Sequence, residues 1–199
     1  MVLGYMSQIS SKAAVRAAVL SARRSMSPAV REAADRALVA AAADLVRGAG
    51  AVAGYAPTPG KPGGTGLVDG LAAAVGTLLL PVLRPDLDLD WARYAAAGLS
   101  SPSRPALLRE PTGPRLGTDA IGQCVAVIVP ALAVDHHGVR LGRGGGSFDR
   151  ALARVPPATP VVALLYDGEL CEALPADPHD RPVTAVITPS GVRSLPLAG

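Results

Sequence analysis

The sequence predicts an α/β fold, a three-layer sandwich in which a mostly parallel central sheet is flanked by helices. Three observations carry this. The apolar runs "AVAGYAP", "TLLLPVL", "CVAVIVPALAV", "PVVALLY" and "VTAVITP" are short enough for strands and rich in Val, Ile and Leu. Alanine-rich stretches with helical start and stop signals lie between several of them, and alternating strands and helices pack as layers around a parallel sheet. The run "CVAVIVPALAV" is apolar on both faces, as a strand at the centre of such a sheet must be.

The elements follow in order. "SSKAAVRAAVLSARRSM" reads as a first helix with Ser10 or Ser11 as N-cap. At about 100° per residue, Lys12, Arg16 and Arg23 fall on one side, a basic stripe opposite an Ala/Val/Leu face. The second helix starts at Ser27, with Pro28 in its first turn and Gly48 available to end it. "AVAGYAP" is a short strand, "TPGKPGGTG" a loop, "LVDGLAAAVG" a helix and "TLLLPVL" a buried strand. "DWARYAAA" is a further strand, and residues 100–122 read as one long connecting loop. After "CVAVIVPALAV", "SFDRALARV" begins a helix, and "PVVALLY" and "VTAVITP" complete the sheet. The pattern is Rossmann-like.

Composition narrows the function. At 199 residues the chain is expected to be one domain, 1–199, with a substantial core. A hydrophobic content of 49% against 18% charged excludes a disordered chain. The net charge of +3 suits an anionic small molecule; six aromatic residues (one Trp, four Tyr, one Phe) are too few for a base-stacking surface. Cys124 and Cys171 have no Cys or His at metal-site spacing and read as buried free thiols. "MVLGYMSQISSK" lacks the order of a signal peptide, and the longest apolar run is too short to span a bilayer. The expectation is a cytoplasmic protein that engages neither membrane nor nucleic acid.

The informative segment is "RLGRGGGSFDR", residues 140–150. Glycine permits positive φ and lets backbone N–H groups approach a ligand, and successive N–H groups form an anion-binding concavity. Arg140, Arg143 and Arg150 add positive charge, and Asp149 could hold a cation that accompanies the anion. The P-loop pattern is absent because no Lys follows the glycines, and Ser147 stands where a dinucleotide fingerprint needs its third glycine. A solvated surface turn is the plain alternative. Its position after the most apolar strand and before a helix, where open α/β sheets bind ligands, favours a phosphate site.

On these residues the chain resembles the 5-formyltetrahydrofolate cyclo-ligase family, also called 5,10-methenyltetrahydrofolate synthetases. The likeness rests on "VIVPALAVDHHGVRLGRGGGSFDRAL", supported in order by "KAAVR", "GYAP", "LLLPVL", "LREPTG" and "HDRPVTAVITPSGV". The resemblance implies ATP- and Mg²⁺-dependent closure of 5-formyltetrahydrofolate to 5,10-methenyltetrahydrofolate, with ADP and phosphate released. It implies ATP contacts from Lys12, Arg16, Arg140, Leu141, Gly142, Arg143, Gly144, Gly145, Gly146, Ser147 and Phe148. Folate contacts would come from Ala56, Lys61 and Arg143 through Ser147, catalytic roles from Lys12 and Arg143, and Mg²⁺ ligands from Asp149 and Asp180. The partners implied are a small-molecule folate and ATP, and the expected form is a monomer.

The chain departs from the family pattern in two places. Ser147 and Phe148 stand where two tyrosines are common. Lys61 stands where the family usually has Glu, and an ammonium cannot accept hydrogen bonds from a pterin. Either folate binding is weakened or altered, leaving a member that binds ATP without the usual folate turnover, or Lys61 swings into solvent.

Overall fold

A computed structural model describes residues 11–95, 98–100, 109–175 and 181–196; Ser10, most of the 100–108 stretch and Asp180 lie outside the described residues. In chain order the elements are α1 (Lys12–Ser25), α2 (Pro28–Leu45), β1 (Ala51–Ala53), α3 (Leu67–Ala74), β2 (Thr77–Leu83) and β3 (Leu89–Arg93). They continue with β4 (Ala126–Pro130), β5 (Ala133–Asp135), β6 (Arg140–Leu141), α4 (Ser147–Leu152), β7 (Val161–Leu164), β8 (Leu170–Cys171), β9 (Ala185–Thr188) and β10 (Gly191–Ser194). Ser11 caps α1 through Ala14 N, and Ser27 caps α2 through Val30 N, with Pro28 in its first turn.

Seven strands form one sheet in the order β10-β9-β7-β4-β1-β2-β3. The five inner strands are parallel, and β3 and β10 run antiparallel at the two edges. As expected, β4 is central. Its side chains alternate between faces: Val127 and Val129 join Trp91, Ile121, Ala151 and Leu152 on one side, and Ile128 joins Leu38, Leu67 and Leu71 on the other. Burying each such Leu or Val contributes roughly 1.5–3 kcal/mol. These two clusters are the interfaces of the three-layer sandwich, with α2 and α3 on one face and α4 on the other.

Three expectations need correction. "CVAVIVPALAV" is not one strand: β4 ends at Pro130, which has no N–H for a ladder, and β5 belongs to a second sheet, β6-β5-β8. The stretch 100–122 is not wholly loop, because a 3-10 helix begins at Thr118 and runs to Gln123. The stripe on α1 is not opposite its apolar face, since Arg23 is buried in line with Val15 and Val19. Those valines pack on Leu132, Ala133 and Leu141, so α1 covers the second sheet. Strand β10, unforeseen, has its four residues exposed on an antiparallel edge.

The β5–β6 hairpin is fixed by Asp135. Its Oδ1 accepts from His137 N and Val139 N at 2.9 Å each, and its Oδ2 accepts from Leu174 N at 2.9 Å. Gly138 completes the turn with φ +83°, and a Cβ there would lie 2.4 Å from the Val183 carbonyl oxygen. Cys124 and Cys171 are buried and free, and burial pushes both thiols up to about 11.

Two outcomes are expected. Gly138→Ala combines a left-handed backbone, which costs roughly 1–2 kcal/mol for an L residue, with a backbone clash, so Tm should fall by several degrees in a thermal melt. At pH 8 a disulfide-type thiol reagent should modify both cysteines slowly in the native protein and rapidly after unfolding in guanidinium.

Candidate active site

The chain leaves β1 for β2 on one side and later enters β4 on the other, so the strand order reverses between β1 and β4. Ligands of open α/β sheets bind in the crevice beyond the C-terminal ends of strands at such a point. Two loops overhang it: residues 54–66 after β1, and Ala131 onward after β4. The second runs through the β5–β6 hairpin into the glycine segment, so that segment reaches the switch point by way of the small sheet and not directly from β4.

The glycine segment is tied to α1. Arg16 Nε donates to the Gly142 carbonyl at 2.9 Å, and Gly144, with φ +102°, would carry a Cβ only 3.7 Å from the Arg16 guanidinium. Gly146, with φ +67°, precedes α4. Arg150 Nη2 donates to Gly145 O and Leu87 O at 2.8 Å each, so this arginine braces the loop. Arg140 is buried; it pairs with Asp149 and leaves its Nε without a partner. Arg143 is exposed at the rim. The plain reading of a solvated turn fails, because the loop's backbone carbonyls at Gly142 and Gly145 are held by Arg16 and Arg150.

Sequence reasoning gave Arg23 no role beyond its place in a basic stripe. Its Nε and Nη2 donate to the two Glu169 carboxylate oxygens at 2.6 and 2.7 Å, with both side chains nearly sealed from solvent. Nη2 also donates to Ala131 O at 2.8 Å, and Nη1 reaches Gly60 O at 3.4 Å. The guanidinium lies over the Tyr166 ring, 5.4 Å from its centroid. Around it, Tyr166 Oη donates to Asp35 Oδ1 at 2.8 Å, Gly63 N donates to the same oxygen at 2.9 Å, and Tyr55 Oη donates to Pro62 O at 2.7 Å. The register Val15, Val19, Arg23 was the available signal for a buried arginine; nothing in the sequence marked Glu169 or Asp35.

Two clefts open here. The first, about 700 Å³, is bounded by α1, the ends of β1 and β4, and residues 140–150. Lys12, Arg16, Arg23, Lys61, Arg140, Arg143 and Arg150 line it, and Asp149 is the one carboxylate on its wall among the described residues. The second, about 1460 Å³, lies between α1, α2 and the 54–66 loop and includes Ala56, Lys61 and Arg143. Lys61 does not swing into solvent. It is half-buried on the wall shared by both clefts, and burial, Arg143 and Arg23 push its ammonium down to about 8. The structure thus gathers Lys12, Arg16, Lys61 and residues 140–149 in one cleft and sets Ala56 in the adjoining one.

Among the described residues no group of three or more His, Cys, Asp or Glu side chains gathers to hold a metal. Asp149 lines the first cleft as a lone carboxylate already paired with Arg140. That donor set suits a Mg²⁺ arriving with a phosphate ligand, since Mg²⁺ commonly takes one or two carboxylates and completes its shell with phosphate oxygens and water. No helix of the described residues is long and apolar enough to cross a membrane.

The fold and the crevice define an α/β protein with a cation-lined cleft at the switch point of an open sheet, a lining suited to an anionic small molecule. Residues 8–189 match the profile of the 5-formyltetrahydrofolate cyclo-ligase family. A 5-formyltetrahydrofolate cyclo-ligase of Mycolicibacterium smegmatis is 40% identical over 184 residues, 90% of this chain and 94% of that protein. The 5,10-methenyltetrahydrofolate synthetase of Aquifex aeolicus superposes with a TM-score of 0.74 at 27% identity, over 94% of both chains. The Mycoplasma pneumoniae synthetase has the same fold, with a TM-score of 0.70 at 17% identity over 89% of this chain and 98% of its own. The chain belongs to the 5-formyltetrahydrofolate cyclo-ligase family; it is an enzyme of the ligase class.

Removing one partner of a buried ion pair strands the other charge, at a cost of about 3–5 kcal/mol. Arg23→Met should therefore lower the unfolding free energy by that amount in urea denaturation, and Arg23→Met with Glu169→Met together should recover part of it.

Proposed function

We propose that the protein closes 5-formyltetrahydrofolate to 5,10-methenyltetrahydrofolate at the expense of ATP, releasing ADP and phosphate. The observation that carries this is the first cleft: a glycine loop clamped to α1 through Arg16, surrounded by cations, with one carboxylate at its edge. Such a cleft fits a triphosphate, and the larger adjoining cleft leaves room for a folate.

An N-formyl group is an amide and a poor electrophile, and phosphorylating its oxygen turns that oxygen into a leaving group. N10 can then attack the formyl carbon. Phosphoryl transfer asks a protein chiefly for positioning and for stabilisation of charge. Lys12 and Arg16 from α1, with Arg140, Leu141, Gly142, Arg143, Gly144, Gly145, Gly146, Ser147 and Phe148, form the nucleotide side. Ala56 and Lys61 face the folate, as do Arg143 through Ser147 from their other edge. Arg143 and Lys12 act on the transferring group. Mg²⁺, held by Asp149 and Asp180 with phosphate oxygens and water, would supply neutralising charge to the phosphates.

A second reading rests on Lys61. Its half-buried ammonium on the shared wall offers no acceptor to a pterin, which fits a member that binds ATP with altered folate turnover.

Incubation with 5-formyltetrahydrofolate, ATP and Mg²⁺ should produce the methenyl absorbance. Calorimetric ATP binding without folate binding or product would support the second reading, and neither binding nor product would reject both. Arg16→Ala, which frees the glycine loop, should raise KM for ATP by about tenfold or more, since a charged hydrogen bond is worth roughly 1.5–3 kcal/mol.

A further inference from the structure

Three side chains line both clefts, and all three are cationic: Arg23, Lys61 and Arg143. Arg23 has its counter-charge in Glu169. Among the described residues, neither Lys61 nor Arg143 has a carboxylate in ion-pair reach. The loop carrying Lys61 is fixed on both sides, by Arg23 at Gly60 O, Tyr55 at Pro62 O and Asp35 at Gly63 N. Lys61 N is also bonded to Thr58 O at 3.0 Å. A half-buried ammonium is therefore held beside two guanidiniums, with no carboxylate of its own in ion-pair reach among the described residues. That arrangement disfavours its own charge and would be relieved by an anion. A pterin edge cannot provide the relief through its N–H groups, because an ammonium only donates.

We propose that Lys61 is a catalytic residue that, with Arg143, grips the phosphoryl group in transit between the two clefts. The inference rests on the ligase reading above and reassigns Lys61 from the pterin to the phosphate. A group passing from a nucleotide in one cleft to a formyl oxygen in the other must cross the wall they share. In that step the P–O bond to ADP breaks as a P–O bond to the formyl oxygen forms. ADP leaves with the electron pair, the formyl carbon gains iminium character, and no proton moves. N10 then adds to that carbon, the C–O bond breaks with its electrons on phosphate, and the N10 proton passes to the released phosphate. Pre-placed cations that meet the equatorial oxygens in the transition state act on kcat and little on ground-state binding.

The charged and titratable groups around Lys61 are Arg143 from the glycine loop, Arg23 with Glu169, Arg31 and Asp35 from α2 beside Gly60 and Gly63, and the Tyr55 phenol, which burial holds well above its ordinary range. Burial beside Arg143 and Arg23 brings the Lys61 ammonium down to about 8.

Steady-state methenyl formation should show kcat of Lys61→Met down about a hundredfold, the size expected for one lost transition-state donor, with KM for folate and ATP little changed. Lys61→Arg should recover most of the rate. Wild-type kcat/KM for ATP should fall as pH rises through about 8, where the ligand-free protein loses the Lys61 proton, and the Lys61→Arg profile should stay flat there. A raised folate KM with kcat intact in Lys61→Met, or the same alkaline limb in Lys61→Arg, overturns the proposal. With ADP bound, inorganic phosphate should raise the Tm of wild type more than that of Lys61→Met. Equal shifts overturn the proposal even if turnover is absent, whereas loss of methenyl product from wild type with unequal shifts counts only against the folate reading.

Discussion

The buried pair of Arg23 and Glu169 is the constraint from which the two clefts take their shape. One guanidinium bonds both oxygens of a carboxylate lying 146 positions away in sequence, and also holds the carbonyls of Ala131 and Gly60. Those carbonyls follow β4 and β1, the two strands that flank the switch point. A planar fork with five donors can serve these four oxygens at once; a lysine could not do so with the same rigidity. Two ions in a nearly dry wall are costly to desolvate, and complete hydrogen bonding is what offsets that cost.

Around this anchor the charges fall into two groups. Arg23 and Arg140 are answered by Glu169 and Asp149, and Arg150 is occupied by the carbonyls of Gly145 and Leu87. Lys61 and Arg143 have no such answer among the described residues, so the wall shared by the clefts carries residual positive charge. In a partly desolvated cleft that charge acts more strongly than on an open surface, because less water screens it. The fold thus sorts its arginines into those that build the crevice and those that meet what enters it.

The legible parts of the fold were those decided by local pattern. Helices α1 and α2 start at serines whose hydroxyls cap them, and β4 is central because its residues are apolar on both faces. The second sheet was not legible, because strands of two or three residues have no period to detect. The break at Pro130 lay inside an unbroken apolar run, where hydropathy gives no boundary. The glycine loop and Asp149 could be read as a site from residue type and spacing. Asp180 lies outside the described residues.

By itself the sequence determined the layered α/β architecture, the buried thiols and the glycine–arginine segment, since each depends on residues that are neighbours in the chain. Tertiary structure alone decided the partners of the arginines: Arg23 with Glu169, Arg140 with Asp149, and Arg16 with the Gly142 carbonyl. It also decided that Lys61 faces inward, beside Arg143 and Arg23. Electrostatic energy depends on distance and burial, and a linear sequence specifies neither until distant segments have been packed together.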